Sequence, residues 1–318
     1  MHDITIAGRH ISDDSPAFVV AEIGNTHNGN VPLACELIKA IGAAGAHAVK
    51  LQKKTIDQLY SEALLAKPYD HYHSYGQTYG EHKRALEFDR WSFQKVMACA
   101  AEENLCCFST AFDEPSVDFL LNLGMPAIKL PSGALTDTAL QIYAAKSQIP
   151  IILSTGGGTI ADVDRAVERM TAINPKLVLL QCTATYPCDF PELNLRCIVT
   201  MRDRYPDLVI GYSGHDQGIA MSLIAYTLGA RVIEKHVTLD RGDKGGDHAC
   251  ALEPHGLSQL CRNLARTRDA MGDGVKVWYE SERGPLSKMR RIPTAHGWQV
   301  TGELPPLSVP ERITQETR

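Results

Sequence analysis

The stretch ARVIEKHVTLDRGDKGGDH, residues 230–248, begins as a buried strand and within a few residues presents Glu234, Lys235 and His236, followed by a Gly-rich loop carrying Asp247. A second imidazole, His215, closes the preceding apolar run, LVIGYSGH. If these runs are neighbouring strands, His215 and His236 converge at their ends. Two imidazole nitrogens hold a divalent cation while leaving positions for water and a substrate oxygen, which suits a Lewis acid rather than a closed structural site. Such ligands admit Mn, Zn, Fe or Co. Glu22, at the end of FVVAEIG, and Asp247 are the carboxylates that would flank the cation and orient or deprotonate bound water.

A second constellation is basic. Lys50 and Lys129 each follow apolar strand residues, where a buried, unpaired ammonium is costly, so each is expected to neutralise an anion. Together with the hydroxyls of Thr110, Ser132 and Ser213 they match a ligand bearing a phosphate and a carboxylate. Gln52, Ser109, Ser154, Thr155, Thr183 and Tyr186 complete a ring of polar residues at the ends of apolar runs.

Eight such runs must position this ring: residues 18–24, 48–52, 106–112, 127–133, 150–156, 177–183, 208–215 and 231–236. Helix-sized amphipathic segments such as VPLACELIKAIGAAG and ADVDRAVERMTAI lie between them. Eight alternating units predict an α/β fold, a parallel (β/α)8 TIM barrel, whose active site lies at the C-terminal ends of its strands. A doubly wound open sheet uses the same units, but the first strand lacks a Gly-rich dinucleotide fingerprint and polar residues close every strand. The ITIAGRHI segment around Gly8 predicts a short N-terminal hairpin. The Tyr- and His-rich insertion from about Thr55 to Arg90 is the candidate lid. The barrel is expected to span 1–274, leaving 275–318 as a short C-terminal tail.

A formal charge of -5 without a basic block argues against nucleic acid or an acidic membrane as partner. The start of the chain lacks a signal-peptide pattern and the apolar runs are strand-sized, so a cytoplasmic protein is expected. Nine Cys without a C-x-x-C pair are expected to be reduced, mostly buried thiols.

The motifs AEIGNTHNG, AVKLQ, FSTAFDEPSVDFL, PAIKLPSG, PIILSTGG, CTATYP, NLRCI, IGYSGHDQGI, GARVIEKHVTLDR and GGDHACALEP run in order across residues 18–260. In them the chain resembles the sialic acid synthase family, which condenses phosphoenolpyruvate with an amino-sugar aldehyde. The resemblance implies phosphoenolpyruvate on Lys50, Thr110, Lys129, Ser132 and Ser213. It also implies a divalent metal, typically manganese with Mg, Co or Zn as alternatives, on His215 and His236. Glu22 and Asp247 would sit around the metal, with Gln52 and Tyr186 near the reacting groups. An aldose acceptor, a homodimer and a 2-keto-3-deoxy acid product follow.

Departures from the family pattern cluster. Thr26 replaces Asn, Ala134 Glu, Ala184 Asn or Ser, Gly214 Asp and Gly157 Met. The tail is too short for the family's C-terminal antifreeze-like domain, of which RRIPTAHGWQVTGE resembles a first-strand remnant. An acceptor other than N-acetylmannosamine is therefore expected, because lost polar partners leave sugar hydroxyls unpaired. Two other readings keep the barrel: a Schiff-base 2-keto acid aldolase using Lys50, Lys129 or Lys235, and a non-catalytic binder of phosphoenolpyruvate or a sugar acid.

Overall fold

In the computed structural model, residues 3–304 are described. An antiparallel hairpin of β1 (Asp3–Ile6) and β2 (Arg9–Ser12) turns at Ala7 and Gly8, both with positive φ. The eight predicted runs then form β3 (Phe18–Glu22), β4 (Ala48–Lys53), β5 (Cys106–Ala111), β6 (Ile128–Leu130), β7 (Ile151–Ser154), β8 (Leu177–Cys182), β9 (Val209–Gly214) and β10 (Val232–His236). Every neighbouring pair is parallel, and β10 closes on β3, so the sheet is a complete barrel. The closing register sets His236 beside Glu22, and the next pair sets Glu22 beside Lys50.

The strands read as near-continuous apolar runs because both faces are buried, one in the barrel and one beneath helices. Their polar residues appear where alternation aims them into the barrel mouth. The first barrel helix, Val31–Ala44, starts at Asn30, whose side chain accepts from Leu33 N–H, and ends at Gly45 in the left-handed region. It is tied to the helix Arg90–Glu102 by a Cys35–Cys99 disulfide across a Cα–Cα distance of 5.7 Å. The expectation of wholly reduced thiols is thus corrected: two adjacent helix faces bring these thiols together, and the other seven cysteines are free.

The Thr55–Arg90 insertion contains the short helices Ile56–Leu59, Glu62–Leu65 and Tyr79–Ala85. A capping box of Thr78 and Glu81 starts the last of them. Tyr69 packs on Tyr79 and His82 at centroid distances of 5.2 and 4.7 Å. The segment rests on the loop after β10, where the Tyr75 hydroxyl donates to the Lys244 carbonyl and Gly245 N–H donates to His73 Nδ1 at 3.1 Å.

The chain divides into two units, residues 1–267 and 268–318. Within the second, the segment read as a remnant strand is a two-stranded antiparallel hairpin, β11 (Ile292–Thr294) and β12 (Gly297–Gln299). Residues 305–318 lie outside the described residues. Among the described residues, no helix is long and apolar enough to cross a membrane.

Candidate active site

The C-terminal mouth of the barrel is lined by Glu22, Lys50, Gln52, Thr110, Phe112, Lys129, Pro131, Ser132, Ser154, Cys182, Tyr186, Ser213, His215, Glu234 and His236. All but one of the predicted site residues meet there. The exception, Asp247, approaches from the following loop with Oδ2 3.9 Å from His236 Nδ1. Four other members of the predicted ring are spent elsewhere. Thr155 and Thr183 hydroxyls donate to the Leu180 and Glu192 carbonyls, Ser109 turns to its neighbour's carbonyl, and Lys235 is buried against Asp216.

The two strand-end lysines differ in a way their sequence contexts do not reveal. Lys50 is ion-paired with Glu22, accepts company from Glu234 at 3.6 Å, and donates to Thr110 Oγ1 at 2.7 Å. Burial opposes its charge, but Glu22 and then Glu234 outweigh it and raise its pKa above the usual range. Lys50 was expected to neutralise an anion, and the anions beside it are the protein's own Glu22 and Glu234, so its charge is already balanced. Lys129 is 3% exposed and has no carboxylate within ion-pair distance among the described residues. It donates to Ser154 Oγ at 2.6 Å and to the Leu130 carbonyl at 3.1 Å, and burial draws its pKa down. Beside it, Gly156 N–H donates to Ser132 Oγ at 3.2 Å, and that hydroxyl donates to Cys182 Sγ at 3.5 Å. Lys129 is therefore a preformed cationic end for an anion.

Glu234 carries more of the site than its sequence context indicates. It accepts from Ser213 Oγ at 3.1 Å. Burial pushes its carboxyl upward, yet Lys50 and then Lys129 hold it down at about 2. Lys54 was missed, and it continues the same alternation as Lys50 and Gln52 one step beyond β4. Its Nζ donates to Gln52 Oε1 at 2.6 Å, which fixes the amide so that Gln52 Nε2 donates to Glu22 Oε1 at 3.0 Å. Alternation was the signal that could have found it.

The histidine pair fits a cation. Their ring centroids are 5.5 Å apart. His215 Nδ1 lies 2.7 Å from the Thr183 carbonyl, which only accepts, so Nδ1 carries the hydrogen and Nε2 presents its lone pair. Burial, then the neighbouring His236, lowers the His215 pKa to about 4, keeping the ring neutral as ligation requires. His236 Nδ1 is buried without a hydrogen-bond partner. Tyr186 lies over His215 at a centroid distance of 3.9 Å. Asp247 Oδ2 accepts from Asn25 N–H at 3.0 Å and Asn25 Nδ2 at 3.2 Å, which aims it. Among the described residues no cluster of three or more His, Cys, Asp or Glu is disposed as a metal cage, so these two imidazoles would leave most positions open.

Gly24 keeps this corner open. Its φ is +56°, and a Cβ there would lie 2.6 Å from Asp247 Oδ2 and 3.2 Å from both Glu22 Oε1 and His236 Cε1. Gly24→Ala is expected to displace the Asp247 carboxylate and weaken divalent-metal binding about tenfold, in the range seen when groups around a metal site are altered. Metal titration checks this, with circular dichroism reporting an intact barrel.

Two departures acquire structural reasons. The Thr26 hydroxyl lies 2.7 Å from the Ile23 carbonyl and 2.8 Å from that of Val237, stitching the first loop to the last strand rather than facing a ligand. A side chain on Gly214 would meet the Tyr212 ring at 2.4 Å and Asp216 Oδ1 at 2.6 Å. Asp216 itself accepts from the Tyr212 hydroxyl at 2.7 Å and pairs with Lys235, so its carboxylate fills the space a side chain at 214 would need.

The same conclusion about ancestry comes from known proteins. Mouse N-acetylneuraminate-9-phosphate synthase is 36% identical over 269 residues, covering 85% of this chain and 75% of that one. The N,N'-diacetyllegionaminic acid synthase of Campylobacter jejuni is 35% identical over 277 residues, covering 86% and 83%. The sialic acid synthetase structure of Leptospira borgpetersenii superposes with a TM-score of 0.77 at 29% identity, covering 90% of this chain and 95% of that one. With the family model matching residues 37–276, and with the same barrel beneath the match, the chain belongs to the NeuB family.

Proposed function

We propose that this protein is a metal-dependent synthase that condenses phosphoenolpyruvate with an aldose to give a sialic-acid-like 2-keto-3-deoxy acid and phosphate. The observation that carries the reading is one cavity joining an unpaired buried ammonium, Lys129, to a neutral imidazole pair, His215 and His236. Lys129, Ser132, Ser213 and Thr110 hold the anionic groups of phosphoenolpyruvate, with Lys50 bridging them to Glu22. A divalent cation on His215 and His236, manganese in this reading, supplies Lewis acidity to the acceptor's aldehyde oxygen.

C3 of phosphoenolpyruvate attacks the aldehyde carbon, and the carbonyl's electron pair moves onto its oxygen, which becomes a hydroxyl by taking up the proton that the incoming water gives up through Glu22. Water adds to the cationic C2, losing its proton to Glu22, which Lys50 and Gln52 hold in place. The C2–O bond to phosphate then breaks, and the ketone forms. Tyr186 and the 55–90 segment shield the reacting groups, and Asp247, aimed by Asn25, would orient water on the His236 side. The enzyme works in the cytoplasm as a homodimer.

Incubation with phosphoenolpyruvate, manganese and aldoses of three to nine carbons tests the reading by phosphate release and product mass. No release with any aldose would overturn it. The aldolase reading draws on one observation, that burial lowers Lys129 toward the free amine a Schiff base needs. Borohydride trapping with pyruvate is expected to give no adduct.

The acceptor is expected to differ from N-acetylmannosamine. With Thr26 and Gly214 explained by packing, this rests on Ala134 and Ala184. Competitive turnover should place kcat/KM for N-acetylmannosamine about a hundredfold below that for the true acceptor. N-acetylmannosamine proving the best substrate would return recognition of its acyl group to the barrel and lid alone.

A further inference from the structure

The Ser132 hydroxyl, one of the groups assigned to phosphoenolpyruvate, sits on a short helical turn, Ser132–Leu135, that follows β6 almost directly. On the cavity side this turn is weakly held. Gly156 N–H reaches Ser132 Oγ at 3.2 Å, the long end of such bonds, and that hydroxyl's own acceptor is a thiol sulfur, Cys182 Sγ at 3.5 Å. The next residue, Gly133, is exposed, and a Cβ there would meet nothing within 4 Å. A conformationally permissive joint thus stands immediately after the side chain that has to be aimed.

From behind, the turn is held firmly. Gln141, on the helix Thr138–Ala145, is fully buried, and its Nε2 donates to both the Ala134 and the Leu135 carbonyls at 2.7 Å. An amide can offer a neighbour either its oxygen or its nitrogen. Here Arg169 Nη1, reaching across from the helix Ile160–Thr171, donates to Gln141 Oε1 and so commits the nitrogen to the two carbonyls. Leu135 adds a steric stop, since a Cβ on Gly158 would lie 2.3 Å from its Cδ2. Neither Gln141 nor Arg169 lines the cavity, so neither can act on a ligand except through the turn.

We propose that Gln141, oriented by Arg169, is the positioning residue for Ser132: it fixes the turn after β6 so that the hydroxyl is presented to an anionic group of phosphoenolpyruvate. The inference rests on the reading of Ser132 as a phosphoenolpyruvate contact. An apolar side chain at 141 takes this donor from two buried carbonyls, and the turn relieves the loss by moving about Gly133, carrying Ser132 with it. The histidine pair is out of reach of that movement. Three strands on either side separate β6 from β10 in the closed barrel, so metal binding keeps its geometry when the turn shifts.

The test measures phosphoenolpyruvate and manganese binding by calorimetry in wild type, Gln141→Met, Ser132→Ala and the double variant. Met keeps the length of the side chain and removes its donors. Gln141→Met and Ser132→Ala are each expected to weaken phosphoenolpyruvate about tenfold, and the double variant no further than Ser132→Ala alone, because the amide then has nothing left to aim. Manganese affinity should stay at the wild-type value throughout. A merely structural role gives multiplied losses in the double variant or a parallel loss of manganese, and either result overturns the proposal. Wild-type phosphoenolpyruvate affinity in Gln141→Met, with loss in Ser132→Ala, overturns the inference alone. Phosphoenolpyruvate failing to bind wild type, or binding Ser132→Ala as tightly, overturns the reading of Ser132 and the inference with it. Should Gln141→Met not fold, Arg169→Met at a half-buried position repeats the test. A loss of about threefold confined to phosphoenolpyruvate and absent on the Ser132→Ala background supports the proposal, and no loss overturns it.

Discussion

Lys129→Ala is expected to weaken phosphoenolpyruvate binding by about 2 kcal/mol or more, about thirtyfold, while leaving the unliganded protein at least as stable as wild type. Lys129 donates only to a hydroxyl and a carbonyl, and Glu234 bears on it from beyond ion-pair distance, so folding bears much of the cost of desolvating its ammonium. Removing it relieves that cost and deletes the contact meant for the ligand. Lys50→Ala should behave differently. It strips the cation from between Glu22 and Glu234, leaving two buried carboxylates uncompensated, and should cost about 3–5 kcal/mol of stability besides weakening the ligand. Binding isotherms and denaturant melts on both variants separate the roles. Wild-type phosphoenolpyruvate affinity in Lys129→Ala would reduce that residue to part of the scaffold.

The largest effect is expected from metal removal. Exhaustive chelation should bring condensation to background, and added manganese should restore it, because the aldehyde must be polarised and His215 and His236 are placed to hold the Lewis acid that would do so. His215→Ala and His236→Ala should each lower metal affinity by about a hundredfold or more, at or beyond the upper end of what residues supporting a ligand contribute. Isothermal titration reads this without reference to turnover. Full activity in metal-free protein would remove the Lewis-acid step from the mechanism.

The barrel was legible because each strand is a bounded apolar run and each intervening segment has helical spacing, signals that come from local burial alone. Thr110, Ser132, Ser213 and the two histidines were legible for a related reason: alternation and a strand's end suffice to aim them at the mouth. Charge compensation was not. Whether Lys50 or Lys129 is paired depends on which carboxylate the closed barrel sets beside it: the β3–β4 pair brings Glu22 to Lys50, and the β10–β3 closure, which adds Glu234, joins segments more than 200 residues apart. Cys35 and Cys99 illustrate the same limit, since their pairing follows from helix packing rather than spacing. Lys54 was overlooked because it lies just past the strand, where the apolar pattern that flags a residue has ended.

The packing of Tyr212, Asp216 and Lys235 around Gly214 has a consequence for how this sequence can drift. The carboxylate at 216 excludes a side chain at 214, so Asp cannot enter position 214 while Asp216 and Tyr212 remain. Losing Asp216 first would strand the Lys235 ammonium in the core. Each single step is therefore disfavoured, and the positions are epistatic. A double-mutant cycle on Gly214→Asp and Asp216→Gly should show the second substitution rescuing the first only in part, because the Tyr212 ring still lies 2.4 Å from a Cβ at 214, so one-residue changes do not easily cross from this arrangement of the turn to another.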